Sequence, residues 1–134
     1  IGFLHGFGLV RGAIASSIAH DAHNFTCAGM DDISMAAALR ELSRIRGGIV
    51  IAEGEKILAE IELPVGGLMS LLDAGEGLKK LEALAAARDA LGCTNPHALM
   101  QLSFMSLSVI PELKLTDKGY FDISRCEVMP LFVH

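Results

Sequence analysis

Apolar and polar positions change their spacing several times along the chain, and each change marks an element. Ala13 to Ala19 is a small apolar run, His20-Asp21-Ala22-His23-Asn24 is polar, and Phe25-Thr26-Cys27-Ala28 is apolar again. Two short apolar runs around a polar cluster predict strand, loop, strand. Asp31 and Asp32 supply an N-cap and early negative charge, and Met35, Leu39, Leu42 and Ile45 then recur at helical spacing until Gly47-Gly48. That pattern predicts an amphipathic helix. Ile49-Val50-Ile51-Ala52 has no polar face, which predicts a strand covered on both sides. Ile57, Ala59, Ile61 and Leu63 alternate with Glu60 and Glu62 as in a half-buried strand, and Glu53-Gly54-Glu55 links the two strands as a hairpin.

Pro64 to Gly67 reads as a loop, and Asp73 with Glu76 has capping-box spacing before Leu78, Leu81, Leu84 and Leu91, predicting a second amphipathic helix closed by Gly92. Asn95-Pro96 reads as a cap and first helical position, and Leu99 to Leu107 is apolar nearly all round, so a deeply buried third helix ending before Pro111 is expected. Asp117-Lys118-Gly119 is a turn, and the remainder to Val133 holds one or two strands. The order β-β-α-β-β-α-α-β predicts an α+β fold, a mixed or antiparallel sheet with about three helices packed on one side, in a single domain over residues 1–134.

Composition narrows the function classes. A net charge of −5, with one Tyr and no Trp, offers neither a basic field for phosphates nor a stacking stripe, so nucleic acid is not an expected partner. The apolar runs fall far short of the ~20 residues that cross a bilayer, so no membrane is expected either. Cys27, Cys93 and Cys126 lack CxxC spacing, which reads as free thiols in a reducing, cytoplasmic setting. Hydrophobic residues make up 51% of the chain, which predicts an exposed apolar patch where a neighbour packs. The first residue is Ile1 rather than Met, so the polypeptide is expected to continue upstream.

The pentad from His20 to Asn24 is the densest group of chemically competent side chains. Two readings stand side by side: a turn whose histidines bond backbone carbonyls, or a polar patch presented to a partner domain's active site. HxxH without a third ligand carries little metal signal, and His20 and His23 converge only if the backbone bends between them. Gly6-Phe7-Gly8 lacks the strand and helix of a phosphate cradle and reads as a bend. The polar run Glu112, Lys114, Thr116 and Asp117 reads as a solvated turn, and no serine sits in a GxSxG elbow.

Longer stretches carry a resemblance. Gly6-Phe7-Gly8-Leu9-Val10-Arg11-Gly12-Ala13-Ile14-Ala15-Ser16-Ser17 followed by Ala19-His20-Asp21-Ala22-His23-Asn24 resembles the signature of the adenine deaminase C-terminal domain. Gly67 to Ser70, Leu91-Gly92-Cys93, Val109 to Gly119 and Pro130 to Val133 match in the same order, so the resemblance covers essentially the whole chain. Ala22 departs from an expected Ser, and His134 from a common acidic residue. The resemblance implies an amidohydrolase-superfamily enzyme that hydrolyses adenine to hypoxanthine and ammonia at a manganese or iron centre. In such enzymes the metal ligands sit on an upstream β/α-barrel.

This segment is then expected to bind no metal, to be inactive alone, and to close over the barrel's active site with the pentad as its tip. The expected partners are adenine, the upstream amidohydrolase barrel and further copies of the chain. Side-chain chemistry, rather than the resemblance, makes His20 and His23 the catalytic candidates and Asp21 and Asn24 the substrate-binding ones. The competing readings are a structural and oligomerisation module, and an independent ligand- or metal-binding domain.

Overall fold

A computed structural model describes residues 1–132, so Val133 and His134 lie outside the described residues. The elements follow the order β1 (Ala13–Ser16), β2 (Thr26–Gly29), α1 (Asp32–Arg44), β3 (Gly48–Glu53), β4 (Lys56–Glu62), α2 (Ala74–Ala90), α3 (Ala98–Phe104), β5 (Leu113–Thr116), β6 (Gly119–Asp122) and β7 (Glu127–Met129). The first four strands form one sheet in the order β2-β1-β3-β4, and the last three form a second in the order β5-β6-β7. All pairings are antiparallel, as in an α+β protein.

The four-stranded sheet is covered on both faces, which corrects the expectation of helices on one side. Ala13, Ala15, Val50 and Ala52 meet Ala37, Ala38 and Leu42 from α1 and Ile45 just after it. Ile14, Ile49, Ile51 and Ile61 meet Leu84, Ala87 and Leu91 at the end of α2, and Ala98 and Leu102 of α3. Alternate residues of β1 and β3 thus serve different cores, which is why both strands are apolar up to their last residues, Ser16 and Glu53. Alanines dominate the α1 face of the sheet and branched residues the opposite face.

Local signals account for the element ends. The Asp31 carboxylate accepts from Ser34 N at 2.8 Å and caps α1, and the Asp73 carboxylate accepts from Glu76 N at 2.9 Å and caps α2. β3 and β4 are joined through Gly54, whose φ of 58° suits the first position of a tight hairpin turn. A bulge lies where Ile51 pairs with Ala59 but Ala52 pairs with Ile57. It reverses the alternation, so Ile57 packs on the α1 side while Leu58 and Ala59 pack on the other, departing from the single apolar face expected of β4.

Three further expectations change. In α2, Leu84 and Ala87 are buried but Leu78 and Leu81 are exposed. The third helix ends at Phe104 with Met100 exposed, so it is neither as long nor as enclosed as its apolar sequence suggests. The run from Glu112 to Asp117 contains strand β5 rather than only a turn, while the remainder from Gly119 holds β6 and β7, in line with the one or two strands expected there. This small sheet is tied to the body by Leu115 N donating to Met105 O at 2.9 Å. The Tyr120 hydroxyl also donates to Phe3 O at 2.9 Å and accepts from Phe3 N.

Candidate functional site

The strand register places Ser16, Thr26, Gly48 and Glu62 at one end of the four-stranded sheet. Residues 17–25 connect β1 to β2 at this end. The chain cannot reverse there in two residues, because Ser17 first continues beside β3, donating its N–H to Gly48 O at 2.9 Å. His23 N then donates to Ala19 O at 2.7 Å, closing one helical turn around His20, Asp21 and Ala22. His23 itself takes a left-handed conformation, φ 50°, which a non-glycine residue adopts uncommonly. The backbone therefore does bend between His20 and His23.

His20, Asp21, Ala22 and His23 are exposed and Asn24 is half-buried. Among the described residues, none of the four polar side chains makes a hydrogen bond, so the histidines do not serve the loop's own carbonyls. Neither of two concavities is lined by the pentad: one of about 320 Å³ lies between Phe3 and the small sheet, and one of about 480 Å³ lies between β4 and α2. No group of three or more His, Cys, Asp or Glu side chains is placed to hold a metal ion among the described residues. His5 and His97 are exposed and stand apart from the loop.

What fixes this loop is a residue that sequence reasoning quoted but gave no role. Ser17 is buried, and its Oγ accepts from Gly48 N at 2.7 Å while donating to Gly67 O at 2.6 Å. Gly67, at φ +74°, and Gly47 crowd against that hydroxyl: a Cβ on either would lie 3.2 Å from Ser17 Oγ. Two serines at the end of a fully apolar strand, with glycine pairs further on, are the signal that marks it. One hydroxyl thereby joins the base of the 17–25 loop to the 64–72 loop beside it.

The cysteines offer no nucleophile near this end. Burial pushes the Cys27 thiol up to about 12, Cys93 is buried beside Phe7 O, and Cys126 lies in the β6–β7 turn.

Residues 1–127 match the family model described as the adenine deaminase C-terminal domain. The chain belongs to this family. The domain is 46% identical over 129 residues to the adenine deaminase of Methylobacterium sp. (strain 4-46), which covers 96% of this chain and 23% of that protein. It is 47% identical over 128 residues to the adenine deaminase of Methylobacterium nodulans, with the same coverage. Over 129 residues it is 46% identical to the adenine deaminase of Archaeoglobus fulgidus, again at 96% and 23%. The domain spans about a quarter of the length of these relatives. No helix among the described residues is long and apolar enough to cross a membrane.

Proposed function

We propose that this domain is part of an adenine deaminase, which hydrolyses adenine to hypoxanthine and ammonia, and that its His20–Asn24 loop acts on the purine. Family membership over residues 1–127 is the observation that carries the enzyme assignment. The reaction forms a bond from water oxygen to C6 of the purine and breaks the C6–N bond, and ammonia leaves after gaining a proton. The manganese or iron that the family resemblance implies for the whole enzyme is assigned in this reading to the rest of the polypeptide, and no step is routed through it.

What this domain contributes is polar contact and proton handling. Imidazole exchanges protons near neutrality, so His20 or His23 suits protonation of the leaving amine or a ring nitrogen. Asp21 and Asn24 suit hydrogen bonding to the purine edge, a donor-and-acceptor pattern that both can meet. The exposure of these groups without internal partners supports this reading over a purely structural turn: the loop itself makes no use of them.

The test is adenine turnover followed as loss of adenine absorbance and release of ammonia. The polypeptide that contains this domain together with its remaining three quarters should convert adenine with manganese or iron supplied, and the isolated 134-residue chain should not. Failure of the whole protein to act on adenine, or turnover by the purified domain alone, would overturn the proposal.

A further inference from the structure

We infer that the stripe formed by Val65, Met69, Leu71, Leu72, Leu78 and Leu81 docks against the preceding part of the longer polypeptide, and that it sets the His20–Asn24 loop at that interface. The inference rests on the proposed reading only in taking the partner to be the remainder of an adenine deaminase chain, and it requires no chemical role for the loop.

All six side chains are exposed, Leu71 at 77%, Leu78 at 57% and Leu81 at 50%. Leu78 and Leu81 share one face of α2, being three residues apart. From Ala74 to Ala83 every residue of α2 is exposed except the half-buried Gly77, and a Cβ at Gly77 would meet nothing within 4 Å. This ten-residue stretch, with two glycines and no buried side chain, is held in the helix only through the turns after it that bury Leu84 and Ala87, and is the least secured part of α2. Packing against something else supplies what the domain lacks.

The total exposed area of the chain leaves room for an interface of ordinary size. The chain exposes 8099 Å², whereas a free monomer of this mass exposes roughly 6,800 Å². The excess exceeds the ~800 Å² that each partner buries in a standard interface.

Position and length choose the occupant. The stripe starts at the sheet end that carries the pentad, where Ser17 bonds both Gly48 and Gly67, so a partner seated on the 65–72 part of the stripe lies beside the base of the loop. The chain spans only 23% of the Methylobacterium relative, and the rest of such a polypeptide is tethered at high effective concentration, while a second copy must be recruited from solution.

Amide hydrogen exchange over residues 65–83, measured in the isolated chain and in the full-length polypeptide, tests this. Exchange should be about 100-fold slower in the full-length protein. The full-length variant Leu78→Glu/Leu81→Glu should lose that protection and also loosen residues 17–25, while the same variant of the isolated chain keeps its melting temperature. Equal, fast exchange in both wild-type forms overturns the inference. So does protection in the isolated chain that rises with concentration alongside a doubled mass by light scattering, which would make the occupant a second copy. If residues 65–83 are protected but alanine variants of the pentad keep normal kinetics, the docking surface stands and the loop chemistry fails.

Discussion

Replacing Ser17 by alanine removes one oxygen that satisfies two backbone groups. Gly48 N–H is buried and has Ser17 Oγ as its acceptor at 2.7 Å, so the variant leaves a buried donor unpaired, at a cost of about 1–3 kcal/mol. Gly67 O, bonded at 2.6 Å, belongs to a half-buried residue that water can reach, so its loss adds only about 0.5–1 kcal/mol. The expected destabilisation is therefore about 2–3 kcal/mol, or a fall in melting temperature of roughly 10 °C for a domain of this size. Circular dichroism melts with urea titration read both, and amide exchange over residues 18–25 should accelerate more than exchange in β3. A Ser17→Ala protein within about 0.5 kcal/mol of the parent, the range of ordinary surface changes, would refute the role given to this hydroxyl.

Two further outcomes follow from packing and charge. Leu84→Ala should cost about 3 kcal/mol because Leu84 is fully buried in the core that α2 shares with the sheet, whereas Leu78→Ala in the isolated chain should stay within about 0.5 kcal/mol; equal losses by urea titration would contradict the packing described. Glu60 is held above the ordinary carboxylate range by desolvation and by sharing a hydrogen bond with Glu41, while Arg44 bonds Glu41 and, with Lys80, partly opposes the shift. A raised folded-state value stabilises the fold below the unfolded value, and that contribution is lost as pH rises through the folded one. Glu60→Gln should therefore raise the melting temperature at pH 7 and give no advantage below about pH 4; a variant less stable at pH 7 would contradict this.

Much of the fold was legible because local signals and tertiary structure agree. Asp31 and Asp73 cap the helices expected of them, and Gly54 turns the expected hairpin. The apolar Ile49-Val50-Ile51-Ala52 run announced cover on both faces of its strand, yet the helices were placed on one side, because nothing in a run of strands and helices says which face each crossover takes. The bulge opposite Ala52 was hidden, since Ile57 and Ile61 read as one face until the register shifts between them. The leucines of α2 read as a core stripe, but Leu78 and Leu81 are exposed, and periodicity cannot tell a core from an interface. For the site, the pentad was legible as chemistry, while Ser17 was not, because its role depends on Gly48 and Gly67, distant residues that converge only in the folded chain.

The central claim is that the loop from His20 to Asn24 works on adenine within the whole enzyme. Its most direct test is kcat/KM for adenine in the full-length protein carrying His20→Ala, Asp21→Ala or His23→Ala, with metal content and melting temperature measured on the same samples. Because these side chains are exposed and make no internal hydrogen bond, folding should be unchanged. At least one variant should lose about 100-fold or more, the scale of a general acid or base. Near-normal kinetics in all three would contradict the claim and leave the loop a structural turn.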